Sequence, residues 1–121
     1  MAVKSPDVEE VYAILRGWAV AGRYHSYLEL SKEYQVRRGV WFEPHGSWDK
    51  PLGRLNERLH HAGAPALSAL VVLGESQEPG GGFWGCAPNV PPRPKSETAR
   101  IAAWSQIVKA VFAYAWSSVL P

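Results

Sequence analysis

The chain is poor in cysteine and in net charge. It has a single cysteine, Cys86, in 121 residues, which excludes an internal disulfide framework. No basic segment followed by an apolar stretch opens the sequence, so we expect no secretory signal and a cytoplasmic protein. The 13 Lys and Arg residues nearly balance 11 Asp and Glu residues, for a net charge of +2. So small an excess permits nucleic-acid binding without requiring it.

Motifs that bind nucleotides or metals are also missing. No Gly-Lys-Ser or Gly-Lys-Thr sequence follows the glycine run 80–82, so a phosphate-binding loop is not indicated. His60 and His61 are adjacent and would point in different directions on a helix, and Cys86 has no partner at ligand spacing. We therefore predict no catalytic residue, no metal and no cofactor, and we expect that the protein is not an enzyme.

Aromatic residues, in contrast, are abundant: the chain has six Trp, five Tyr and three Phe. With 46% hydrophobic residues it can bury one core but hardly two, and we expect a single domain over residues 1–121. A small core does not readily bury this many aromatic rings. Some of them are therefore expected at an interface.

Start and stop signals predict two short helices in the first third of the chain. Ser5 is the expected N-cap of the first helix, and Gly22 is expected to end it as a left-handed cap. Ser26 and Glu29 have the spacing of a capping box, which predicts a second helix as far as about Val36.

A third helix is predicted over residues 47–62, with two chemically different faces. Leu52, Leu55 and Leu59 share one face, which is expected to pack on the core. The opposite face carries Lys50, Arg54 and Arg58. The fold class that we predict is α+β, with a winged helix-turn-helix-like arrangement and a long C-terminal helix.

The predicted motif and its wing cover about residues 24–86. The apolar run 67–73 is expected to be a buried strand, and the segment 83–86 is expected to be a second strand after a glycine-rich turn. A proline-rich connector, 87–95, follows, and a C-terminal helix is predicted over 96–118. That helix carries little charge, so it is expected to pack under the motif or against a second subunit, as a possible homodimer, rather than to cross a membrane.

The order of these segments resembles the winged helix-turn-helix superfamily and is remotely similar to the DNA-binding domain of alkylguanine-DNA alkyltransferases and alkyltransferase-like proteins. The resemblance rests on Tyr24, 28–30, 51–56, 65–72 and 79–83. In that family an arginine- and glycine-containing helix enters the minor groove, and a Pro-Cys-His-Arg block follows. Here the block reads Pro65-Ala66-Leu67-Ser68, so the alkyl-accepting cysteine and its histidine are missing, and Cys86 lies too late to replace them. The resemblance therefore implies the layout, with Arg54 as the individual residue to carry over.

The resulting prediction is a non-enzymatic DNA-binding protein that uses the helix 47–62 and a β-hairpin wing. Lys and Arg side chains that stand about a turn apart on one helix face can reach phosphates and base edges together, and an Asn side chain on the same helix could add a base contact. The residues expected in the groove are Lys50, Arg54, Asn56 and Arg58, with Arg37 and Arg38 on the DNA backbone.

The alternative prediction is a small protein-binding module, such as an antitoxin, an immunity protein or a phage-encoded inhibitor. Exposed aromatic rings provide large contact areas at low entropic cost, and the nearly neutral charge suits a protein partner. The residues expected to contact that partner are Trp41, Phe42, Trp48, Phe83 and Trp84.

Overall fold

The computed structural model of the chain describes residues 5–121. In that range the helices are α1 (Val8–Ala21), α2 (Tyr27–Arg38), α3 (Asp49–His61) and α4 (Glu97–Ala113). The strands β1 (His25–Ser26) and β2 (Val71–Val72) form a small parallel sheet, in which His25 pairs with Val71 and Ser26 with Val72. The predicted α+β class is confirmed.

The local signals at the first two helices are mostly confirmed. Ser26 Oγ accepts from the Glu29 N–H (3.1 Å) and the Glu29 carboxylate accepts from the Ser26 N–H (3.2 Å), which completes the capping box of α2. Gly22, with φ of 68°, ends α1. The predicted N-cap Ser5 is wrong, because the Asp7 carboxylate accepts the Glu9 N–H (2.9 Å) and starts α1 there.

The centre of the core is the segment from Ala66 to Val72, in which every residue is at most 3% exposed. The prediction of one strand over 67–73 is wrong for its first half, since Leu67–Leu70 is a 3₁₀ helix and β2 is only Val71–Val72. A continuous apolar run has the same pattern in a buried strand and in a buried helical turn, so periodicity could not separate them.

The predicted β-hairpin is also corrected. A turn does close after β2, where the Leu73 N–H donates to the Glu78 carbonyl (2.7 Å), but residues 83–86 are not a strand. The Gly80 N–H donates to the Tyr27 hydroxyl (3.1 Å), and the buried Phe83 packs in the core. These contacts hold the second arm against α2 and α3, so it does not pair with β2.

The start of α3 is fixed by a buried tryptophan. Trp48 is 0% exposed, and its indole N–H donates to Ser31 Oγ (2.9 Å), which in turn donates to the Phe42 carbonyl (2.6 Å). The Trp48 ring also meets Tyr34 and Phe42 edge-on, at centroid distances of 5.6 and 5.8 Å. The long loop between α2 and α3 is therefore fastened to α2 immediately before α3 begins.

The C-terminal helix is shorter than the predicted 96–118. Ser96 caps α4 as expected, but the helix ends at Ala113, where the chain turns and the Trp116 indole N–H donates to the Val111 carbonyl (2.8 Å). The Trp104 indole N–H donates to the Ala69 carbonyl (2.8 Å), which joins α4 to the central segment. Within residues 5–121 no helix has the length and apolar character to cross a membrane. The homodimer stays a prediction.

The capping box of α2 makes stability depend on pH. The hydrogen bond from the Ser26 backbone N–H lowers the pKa of Glu29, against a smaller opposing effect of burial, and the nearby His25 lowers it further. A depressed folded-state pKa stabilises the protein above the unfolded-state value, and this stabilisation is lost as the pH falls through the folded value.

We expect the wild type to be more stable than Glu29→Gln at neutral pH. The difference in unfolding free energy should shrink as the pH falls below the ordinary glutamate pKa of about 4.3. Urea denaturation of both proteins across this range measures the difference. A gap that stays constant from neutral to acidic pH would contradict the assignment.

Candidate nucleic-acid interface on the third helix

Helix α3 has one face in the core and one in solvent, as the sequence predicted. Leu52, Leu55 and Leu59 are at most 5% exposed. Lys50, Arg54 and Arg58 are all exposed, at intervals of four residues along the helix. Because residues four apart lie on one side of a helix, the three cations follow a single stripe on the outer face.

The charges on this outer face are mixed. Asp49 and Glu57 are exposed on α3 beside the cations. Within residues 5–121, however, neither Lys50 nor Arg54 takes part in an ion pair. Both cations are therefore available to an anionic ligand. Asp49 and Glu57 reduce the positive electrostatic potential of this face below what three basic residues alone would produce.

Arg58 is less available than its neighbours. Its guanidinium donates to the carbonyl oxygen of Pro121 (3.3 Å), so the last residue of the chain lies against the end of the cationic stripe. Arg58 stays exposed to solvent. Among residues 5–121, Lys50 and Arg54 are the members of the stripe whose side chains have no hydrogen bond or ion pair with the chain.

The expectation that Asn56 contacts a base is wrong. Asn56 is 0% exposed, and its amide N–H donates to Ser68 Oγ (2.6 Å) while its carbonyl oxygen accepts from the Ser68 backbone N–H (3.4 Å). Its amide also donates to Cys86 Sγ (3.4 Å). Asn56 therefore joins α3 to the central segment, and the side chain does not reach the outer face.

Arg37 and Arg38 have carboxylate partners within the chain. Arg37 pairs with Glu10 (3.1 Å) and Glu33 (3.5 Å), and Arg38 pairs with Asp7 (3.1 Å) and Glu10 (3.7 Å). These ion pairs join the end of α2 to the start of α1. Helix α2 ends at Arg38, two residues beyond the predicted end. The charges of Arg37 and Arg38 are compensated by these carboxylates, so we do not include the two arginines in the candidate site.

The predicted cluster of exposed aromatic residues does not form. Trp48 is 0% exposed, Phe83 5% and Phe42 8%, so all three belong to the core. Trp84 is half-buried against the Phe83 ring, at a centroid distance of 5.1 Å. Trp41 is 39% exposed, and its indole N–H donates to Glu43 (3.2 Å). The five rings do not make one surface.

Cys86 lies half-buried beside α3, with its backbone carbonyl facing Gly53. Burial raises the pKa of the Cys86 thiol, against the opposing effect of the hydrogen bond from Asn56. A thiol with a raised pKa stays protonated at neutral pH and is a poor nucleophile. Residues 5–121 also contain no cluster of three or more His, Cys, Asp or Glu side chains able to hold a metal ion.

Gly53 was not among the site residues predicted from the sequence. It lies inside α3 between Lys50 and Arg54, and a Cβ at this position would meet only Cys86, at 3.6 and 3.9 Å, which is ordinary contact. Glycine inside a helix costs roughly 0.5–1 kcal/mol relative to alanine. Packing does not require it here, and a disfavoured residue between two cations was visible in the sequence.

Comparison with known proteins yields no match: no family model fits the chain, and no curated protein or solved structure is similar to it. The resemblance to alkyltransferase DNA-binding domains therefore stays a prediction from its motifs.

The buried position of Asn56 predicts a loss of stability on substitution. Asn56→Ala leaves the Ser68 N–H and hydroxyl without their partner, so we expect unfolding to become easier by roughly 1–3 kcal/mol. Thermal and urea unfolding measure this loss. Equal stability of Asn56→Ala and the wild type would contradict the structural role.

Proposed function

We propose that the protein binds DNA without catalysing a reaction, through the outer face of α3 in a winged helix-turn-helix-like arrangement. The observation that carries this proposal is the stripe of exposed cations on a helix whose other face is buried. A helix fixes the backbone of these residues at set intervals, so binding to phosphates orders only the side chains and not the main chain.

The order of the elements supports the same layout. Helices α2 and α3 follow one another, and the turn closed by Leu73 and Glu78 comes after the central segment. In winged helix-turn-helix proteins the second helix of such a pair meets DNA, and a hairpin follows it. Because residues 83–86 do not form the second strand of a wing, α3 is the main proposed contact with DNA.

The protein-binding alternative has less support than it had from the sequence. Its proposed surface required Phe42, Trp48 and Phe83 to be exposed, and all three are in the core. A surface made of Trp41 and half-buried Trp84 alone lacks the group of neighbouring anchor residues that typical interfaces contain.

Neutralising the two free cations of α3 should weaken DNA binding. In Lys50→Gln/Arg54→Gln we expect a roughly tenfold or greater loss of affinity at moderate salt, and a slope of log K against log salt that is smaller by about 2, because two phosphate contacts are lost. Fluorescence anisotropy with a labelled duplex at several salt concentrations measures both quantities.

The matched control is Arg23→Gln/Lys109→Gln, which removes the same charge from exposed positions outside α3. This control should keep nearly the wild-type affinity. If both double variants lose affinity equally, the attraction depends on net charge and not on α3. Failure of the wild type to bind any duplex would remove the proposal.

Gly53→Ala should raise stability and leave DNA binding nearly unchanged. We expect unfolding to cost roughly 0.5–1 kcal/mol more, because alanine favours the helix and its methyl group fits beside Cys86. The methyl group faces Cys86 and should not obstruct a ligand of Lys50 and Arg54. Urea unfolding and the same anisotropy assay measure both properties, and a variant that is less stable than the wild type would contradict the fit beside Cys86.

A further inference from the structure

The turn that would serve as the wing carries the wrong charge for a phosphate contact. From Leu59 to Pro92 the sequence contains no Lys or Arg, and the exposed Glu75 lies in the turn itself. Glu78, at the base of the turn, pairs with Arg100 (3.3 Å). Carboxylates repel phosphates, so this turn does not add attraction to that of α3.

The proline-rich connector has the opposite character. Between Glu78 and Glu97 the sequence has no acidic residue, and its two charged side chains are Arg93 and Lys95. Both are exposed, and within residues 5–121 neither forms an ion pair. We infer that this connector, and not the turn after β2, is the second DNA-contacting element, with Arg93 and Lys95 on the phosphate backbone beside α3. This inference rests on the proposed function.

Two contacts join Cys86, the residue before the connector, to α3, and a third joins the connector to the segment after α3. The carbonyl of Cys86 faces Gly53 on the outer side of the helix, and the thiol accepts a hydrogen bond from Asn56 (3.4 Å). The side-chain amide of Asn89 donates to the carbonyl of Ala64 (3.3 Å), directly after α3. The connector therefore flanks the helix that carries the cationic stripe.

The connector then returns toward its own beginning. The Gly85 N–H donates to the Pro91 carbonyl (3.0 Å), so Pro91 lies next to the residue that precedes Cys86. Arg93 is two residues beyond Pro91, a separation of at most about 7 Å between Cα atoms. Gly85 precedes Cys86, which faces Gly53 of α3, so this hydrogen bond brings the connector back toward the helix that carries Lys50 and Arg54. The inference places Arg93 on the same duplex as that helix.

Proline gives this exposed segment the stiffness that a phosphate contact needs. Pro91, Pro92 and Pro94 each fix the backbone φ angle around Arg93. A segment that is already restricted loses less entropy when it is held against DNA than a flexible glycine-rich turn would lose. Within residues 5–121, the side chains of Arg93 and Lys95 form no hydrogen bond or ion pair. The backbone carbonyl of Lys95 accepts a hydrogen bond from Arg100 (3.2 Å).

The test is the double variant Arg93→Gln/Lys95→Gln, measured by anisotropy with the same labelled duplex over a range of salt concentrations. We expect a roughly tenfold loss of affinity at moderate salt and a salt slope smaller by about 2. Glu75→Gln in the turn should leave affinity unchanged or raise it slightly. Thermal unfolding should be the same for all these variants and the wild type, since the substituted side chains are exposed.

The outcomes separate this inference from the proposed function. If the connector variant binds like the wild type while Lys50→Gln/Arg54→Gln loses affinity, the connector inference is overturned and DNA binding by α3 stands. If the connector variant loses no more affinity than Arg23→Gln/Lys109→Gln, the inference is likewise overturned. A wild-type chain that binds no duplex removes both proposals together.

Discussion

Burial of the Trp48 ring is the contact that fixes the start of α3. The ring is 0% exposed, its indole N–H donates to the Ser31 hydroxyl, and the rings of Tyr34 and Phe42 pack against it. Removing a buried tryptophan side chain typically costs about 3–5 kcal/mol. The ion pairs of Arg37 contribute at most about 1 kcal/mol each. The buried ring therefore holds the start of α3 against α2, while the body of α3 packs on α1 and on the central segment.

The polar side chains of α3 that are able to contact a ligand are those that form no hydrogen bond within the described chain. Asn56 is taken up by Ser68 and Cys86, and Arg58 is partly taken up by Pro121. Lys50 and Arg54 remain, with Gly53 between them.

Much of the fold was predictable because its signals are local. The capping box at Ser26, the left-handed Gly22, the cap at Ser96 and the leucine stripe of α3 each depend on a few neighbouring residues. Other predictions failed because distant residues decide the outcome. The segment 83–86 is not a strand, because Phe83 enters the core and Gly80 bonds to Tyr27, which is 53 residues away in sequence. The aromatic surface failed for the same reason.

By itself, the sequence determined the α+β class, the helix ends marked by caps and the cationic stripe of α3, since charge spacing and capping act over one or two turns. Helical spacing also places Asn56 on the leucine face of α3, four residues after Leu52 and three before Leu59. The tertiary structure alone buried Trp48, compensated Arg37 and Arg38, and brought the connector beside α3. These outcomes depend on contacts between segments far apart in the chain, and a local pattern does not contain that information.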